Sequence, residues 1–253
     1  SLGELRTRLE DAKTRGKRVK LLYIIPAFHN PTGLTLGANK HARILELARQ
    51  YGFLVLEDDA YGILHYDAPP PPPLKASDED GQVIYISTLS KLIAPGIRLG
   101  WMVAAPPVLE ILRLVKLDAG TSPFMQAFVY RLCEHQPPEE RAAPLRQLYR
   151  MRRDAMLGAL EREISPGFRW TRPGGGFFVW VQGPDGFDAA RFRPRAVAAG
   201  VDFIPGVNFS VDGRARSGMR LCFSYCSPAQ IREGVARLAA ALKEETTEGA
   251  YPR

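Results

Sequence analysis

The chain has 253 residues, of which 45% are hydrophobic and 24% charged. That is the profile of a globular protein with enough length for one large domain or two unequal ones. No run of about 18 apolar residues occurs, which excludes a membrane-spanning helix, and the N-terminus lacks a secretory pattern. The formal net charge is +7, but the Lys and Arg are scattered. The densest group, Arg150, Arg152 and Arg153, lies inside a helical pattern and reads as a solvated face, so nucleic acid is the less favoured partner. The three cysteines, Cys133, Cys222 and Cys226, are odd in number and show no C-x-x-C spacing. That argues against a disulfide framework and a zinc site and favours a reducing cytoplasm, with all three read as small buried apolar residues.

In chain order, a helical stretch at 5–13 precedes VKLLYII (19–25), a run apolar but for Lys20 that reads as a strand buried on both faces. From Ala38 to Tyr51 the apolar residues Ile44, Leu47, Ala48 and Tyr51 recur with helical period, and Gly52 ends the helix. Residues 53–56, 83–86 and 99–103 are further strand candidates, and the alternation predicts an α/β sheet. Five consecutive prolines, Pro69 to Pro73, have no backbone donors and read as a surface loop; a proline-recognition motif is the minority reading. Beyond Pro106 the chain is mostly helical to about Ile164, followed by strands at 177–181 and 219–223. Ser227, Pro228 and Gln230 form a capping box for a last helix with the stripe Ile231, Val235, Leu238 and Leu242. This predicts a large domain over 1–140 and a small α+β domain over 141–253.

Three segments sit just past strand ends, where open α/β sheets bind ligands. They are Asn30-Pro31-Thr32-Gly33, then Glu57-Asp58-Asp59-Ala60-Tyr61, then Thr88-Leu89-Ser90-Lys91 with Arg98 seven residues on. Singly each has a bland explanation: a turn, an acidic strand end, an exposed loop. In order, on successive strand ends, folding needs alone do not account for them. Gly174 to Gly176 lack the strand-before, helix-after context of a phosphate loop and read as the turn into the strand at 177–181. His29, His41, His65 and His135 have no metal spacing, although His29 neighbours Asn30; Trp101 and Trp180 read as core.

The phrases YIIPAFHNPTG, LEDDAYG, STLSKLIAPGIRLGW, GGGFFVW and SGMRLCFS resemble the class I/II aminotransferases of fold type I, in particular the 2-aminoadipate and aromatic aminotransferases. The resemblance runs over essentially the whole chain. It implies a PLP-dependent transferase fold: α/β, with part of a large domain built on a mainly parallel sheet and a small α+β C-terminal domain. It implies pyridoxal 5′-phosphate as cofactor, held covalently by Lys91, which then moves the proton as base and acid. Asp58 would face the pyridine nitrogen, with Asp59 pointing away. Asn30 and Tyr61 would bind the phenolic oxygen. Thr88, Ser90 and Arg98 would take the phosphate, with a surface ion pair as the other reading of Arg98. Its place before an apolar strand argues against exposure. Arg220 would clamp the substrate carboxylate beside Asn30, with a structural salt bridge as its alternative.

The implied activity is transfer of an amino group from an L-amino acid to a 2-oxo acid such as 2-oxoglutarate, in a cytoplasmic homodimer without membrane contact. Two alternatives share these motifs: the effector domain of an aminotransferase-like transcription regulator, and a lyase using the same cofactor. The family places a phosphate-binding glycine loop and a ring-stacking aromatic residue upstream of the first strand. Neither is found before Asn30, and the chain begins at Ser1, so it is expected to be truncated and poorly soluble alone.

Overall fold

The computed structural model describes residues 1–117 and 120–247. The last residues of the span expected for the C-terminal domain, 248–253, lie outside the described residues. Two compact units emerge. The first comprises Ser1–Ala27, Thr35–Leu64 and Pro69–Ala143, and the second Phe28–Leu34, His65–Ala68 and the chain from Pro144.

In the first unit, helix α1 (Leu2–Thr14) starts where the Ser1 hydroxyl accepts the Glu4 N–H. Strand β1 (Leu21–Ile24) leads through α2 (Ala38–Tyr51) to β2 (Leu54–Asp59). Gly52, at φ 67°, closes α2 in the left-handed conformation that a Cβ disfavours. β3 (Val83–Thr88) and β4 (Gly100–Val103) complete a sheet of order β1-β2-β3-β4, parallel across the first three strands and antiparallel at β4. The α2 stripe Ile44, Leu47 and Ala48 packs with Leu9, Phe53, Val55, Leu74 and Val83 into one core. Each such burial contributes roughly 1.5–3 kcal/mol for the larger side chains.

The expectation that β1 is buried on both faces is corrected. Leu22 and Ile24 pack against that core, whereas Leu21 and Tyr23 are 47% and 54% exposed. Side chains alternate along a strand, so covering one face of this edge strand buries only every second residue. Trp101 is also exposed rather than core, because it too lies on an edge strand, β4. The proline run passes over the surface with Pro70, Pro71 and Pro73 half-buried, walling a cavity with His41, Glu57 and Asp59. Helices α3 (Pro106–Val115) and α4 (Pro123–His135) expose Ile111, Leu114, Phe124 and Phe128.

Helix α5 (Pro138–Glu163) continues into the second unit. There β5 (Arg169–Trp170), β6 (Phe178–Gln182), β7 (Ile204–Pro205) and β8 (Gly218–Cys222) form an antiparallel sheet of order β5-β6-β8-β7. Its core joins Met156 and Leu160 of α5 with Val179, Val181, Met219 and Leu221. Helix α6 (Ala189–Ala198) adds Phe192 and Ala196, and α7 (Pro228–Thr247) adds Ile231, Val235, Leu238 and Leu242. The capping box forms: Gln230 N–H donates to the Ser227 hydroxyl at 3.3 Å, and Ser227 N–H to Gln230 Oε1 at 2.9 Å.

The arginine group on α5 is not uniformly solvated. Arg153 is buried, with Nη1 donating to Asp67 at 2.5 Å and to the Pro173 carbonyl at 2.9 Å. The charge is tolerated there because it is paired and hydrogen-bonded. The cysteines are free, but Cys222 is exposed and Cys133 and Cys226 half-exposed, not buried. At Gly218 an added Cβ would lie 1.9 Å from Trp180 Cζ2. Gly218→Ala is therefore expected to destabilise the protein by about 2 kcal/mol through overpacking; an unchanged urea midpoint would contradict this packing.

Candidate active site

In the first unit, the C-terminal ends of β2 and β3 lie side by side, with Asp58 opposite Ile86 and Asp59 opposite Ser87. Strand alternation sends the three consecutive acids of β2 to different fates. Glu57 is 0% exposed and accepts the N–H groups of Leu74 and Lys75 at 2.7 and 2.9 Å; burial pushes its carboxyl up. Asp59 accepts the Gly62 N–H at 2.8 Å and the Tyr85 hydroxyl at 3.0 Å, which fixes the turn carrying the buried Tyr61. Asp58 has one protein partner, the Tyr23 hydroxyl, which donates to Oδ2 at 2.7 Å. Its other oxygen is left without a partner among the described residues.

β3 ends on Thr88. Its hydroxyl donates to the Leu99 carbonyl at 2.9 Å and accepts the Ser90 N–H at 3.1 Å, with the Ser90 hydroxyl 2.9 Å away. This knits a tight turn that carries Lys91 half-buried. Lys91 makes no hydrogen bond or ion pair among the described residues. Arg98 follows a 3-10 turn (Pro95–Ile97) at φ 50°. Contrary to the sequence expectation it is exposed, because the left-handed backbone turns it outward ahead of β4. Among the described residues its one hydrogen bond, at 3.4 Å, is to the Pro95 carbonyl, and the ion-pair alternative finds no carboxylate. The first unit thus carries Asp58, Tyr61, Thr88, Ser90, Lys91 and Arg98, and adds Tyr23, which sequence reasoning saw only as part of an apolar run.

The second unit brings Asn30 and Arg220 together. Arg220, opposite Trp180 in the β6–β8 register, donates from Nη1 to Asn30 Oδ1 at 2.8 Å. Arginine has no acceptor, so the amide oxygen must face it, and the Asn30 NH₂ remains available as a donor. The guanidinium lies 4.3 Å from the Phe178 ring centroid and 5.0 Å from that of Phe209, an arrangement that holds its plane. Its Nε is buried without a partner. The structural salt bridge weighed for Arg220 does not occur among the described residues.

The turn bearing Asn30 needs its glycine. Gly33 sits at φ 68°, and a Cβ there would lie 2.5 Å from the Phe178 carbonyl oxygen. His29 lies 2.9 Å from the Thr32 hydroxyl through Nδ1, and burial lowers its pKa. Gly176, at φ 71°, passes so close to Phe28 that a Cβ would meet its side chain at 2.8 Å; the glycine run makes this turn. No group of His, Cys, Asp or Glu among the described residues could hold a metal.

Chemically, the first unit offers an amine without a partner, a guanidinium without a carboxylate, two hydroxyls and a carboxylate with one free oxygen, all judged among the described residues. That set suits a phosphate, a carbonyl carbon and a cationic ring nitrogen. The second unit offers a planar cation with open donors, which suits a carboxylate.

The sequence pattern described as "Aminotransferase class I and II" matches residues 2–238. Aromatic-amino-acid aminotransferase 1 of Thermococcus litoralis is 42% identical over 95% of this chain and 58% of its own length. A regulator of Bacillus subtilis described as an uncharacterized HTH-type transcriptional regulator is 35% identical over 87% of this chain and 46% of its own length. Among solved structures, the kynurenine aminotransferase of Pyrococcus horikoshii, in complex with PMP, superposes with a TM-score of 0.94 at 40% identity, covering 97% of this chain and 61% of that one. The chain therefore spans about three fifths of the length of the aminotransferases it matches.

Proposed function

Because the chain belongs to the class I and II aminotransferases, we propose that it is the cofactor-holding and substrate-clamping part of a pyridoxal-phosphate-dependent aminotransferase. The reaction would move an amino group from an L-amino acid to a 2-oxo acid such as 2-oxoglutarate. Aromatic donors are the first to test, given the names of the relatives.

The observation that carries this reading is Lys91: a half-buried amine with no counter-ion among the described residues, on the turn tied by Thr88 and Ser90. A lysine in such a place is free to act as nucleophile and proton carrier. The residues present fit the cofactor. Thr88, Ser90 and Arg98 would bind its phosphate, Asp58 would hold a proton on its ring nitrogen, and Asn30 and Tyr61 would donate to its phenolic oxygen. When bound, the cofactor supplies the electron sink for the carbanion formed at the substrate Cα. Lys91 would take the Cα proton and deliver it to the aldehyde carbon of the cofactor, on the other side of the substrate nitrogen. Arg220, held flat by Phe178 and Phe209 and squared by Asn30, would orient the substrate carboxylate.

Borohydride reduction of the full-length protein with cofactor should fix the label on Lys91, read by peptide mass. A label on another lysine would overturn the reading. Arg220→Lys in the full-length protein should raise KM for donor and acceptor alike by on the order of 100-fold, because a point charge replaces a bidentate fork. Equal KM values for variant and parent would remove Arg220 from substrate binding.

A second reading, the effector domain of a transcription regulator, draws support from the B. subtilis relative. A lyase using the same cofactor is a third. Product analysis separates them: amino transfer to 2-oxoglutarate marks the first reading, and ammonia release with a 2-oxo acid marks the lyase. Binding without turnover marks the regulator. We also propose a homodimer. The exposed Ile111, Leu114, Phe124 and Phe128 support it, and size-exclusion chromatography of the full-length protein tests it. The free cysteines support a cytoplasmic setting.

A further inference from the structure

The acids of β2 differ in how they are held. Glu57 has two backbone donors, and Asp59 has one backbone donor and the Tyr85 hydroxyl. Among the described residues Asp58 has the Tyr23 hydroxyl alone, at 2.7 Å. The carboxyl torsion of an aspartate is broad and two-fold, so one bond decides its orientation. Tyr23 reaches it by register. β1 runs parallel to β2 with Tyr23 opposite Leu56, which puts Tyr23 and Asp58 on one sheet face two positions apart, within the span of a phenol ring.

We propose that Tyr23 is a positioning residue of the reaction: its hydroxyl holds Asp58 Oδ2 and so leaves Oδ1 directed to the ring nitrogen of the cofactor. This rests on the reading of Asp58 given above and adds a residue to it. Tyr23 touches neither cofactor nor substrate in this role. It acts through Asp58. Burial and the bond to Asp58 both raise the phenol pKa, so the hydroxyl stays protonated and donates throughout the neutral range. Tyr23 is 54% exposed and belongs to neither hydrophobic core, so losing the hydroxyl removes nothing from the core.

The test uses the full-length protein loaded with pyridoxal phosphate labelled with ¹⁵N at the ring nitrogen. Tyr23→Phe should lower kcat about tenfold, the order of one hydrogen bond to a charged group, while KM stays within about twofold. It should also shift the ring-nitrogen resonance, with an unchanged unfolding midpoint. Site-specific 3-fluorotyrosine at position 23 keeps the hydroxyl and should retain kcat to within about twofold. Asp58→Asn is run in parallel. If Asp58→Asn moves resonance and kcat but Tyr23→Phe moves neither, Tyr23 is a bystander and this inference alone fails. If Asp58→Asn moves neither, the reading of Asp58 fails and takes this one with it.

Discussion

Lys91→Ala in the full-length protein is expected to abolish turnover, with a fall of at least about 10⁴-fold in kcat. A positioned proton carrier alone contributes roughly 10²–10⁴-fold, and loss of the covalent attachment adds to that. Neither Lys75 nor Lys20 is placed to substitute for Lys91. Lys75, half-buried in the turn after the proline run, is committed to Asp78 at 2.8 Å. Lys20 precedes β1, at the opposite end of the parallel strands from Asp58 and Thr88. Lys91 alone joins the turn after β3 to an unpaired amine. Truncating it removes no ion pair and no hydrogen bond among the described residues, so the fold should survive. A circular dichroism spectrum like that of the parent, together with lost product formation, is the expected pair of results. Retained turnover would remove Lys91 from the chemistry. An added small amine should restore part of the rate if the missing element is a proton carrier, and none of it if the loss is structural.

Much of this was legible in the sequence, and the reasons differ by element. α2 and the start of α7 were readable because their signals are local: a 3.6-residue apolar period, Gly52 at one end, Ser227 and Gln230 at the other. The order of motifs along successive strand ends brought Asp58, Thr88, Ser90 and Lys91 into view. Helix α6 escaped because Pro194 and three arginines break its apolar stripe; its Asp188 cap, which accepts the Ala190 and Arg191 N–H groups, was the available signal. Burial on one face or both was not legible, because a mostly apolar run such as 19–25 looks the same either way. The roles of Arg153 and Tyr23 depend on partners 86 and 35 residues distant, and no local pattern announces such pairs. The exposure of Arg98 was misjudged because its positive φ cannot be read from an arginine.

The sharpest test of the reading lies in the pair Asp58 and Asp59. The two are adjacent and chemically identical, yet alternation turns them to opposite faces of the sheet. Asp59 is occupied: Gly62 N–H and the Tyr85 hydroxyl use its oxygens, and a Cβ on Gly62 would lie 2.5 Å from Oδ1. Asp58 keeps an oxygen open. Asp58→Asn in the full-length protein should therefore lower kcat by on the order of 10³-fold, because an amide in that place cannot stabilise the charge that develops on the ring in the transition state. Cofactor should still bind, since Thr88, Ser90 and Arg98 are untouched, and the unfolding midpoint should hold. Asp59→Asn should do the reverse, costing about 1–2 kcal/mol of stability through the turn at Gly62 while kcat falls far less. Steady-state kinetics and urea denaturation of both variants separate the outcomes. Should Asp59→Asn prove the damaging change for catalysis and Asp58→Asn the harmless one, the ring-nitrogen partner sits on the other face of β2, and the face assigned to the cofactor is wrong.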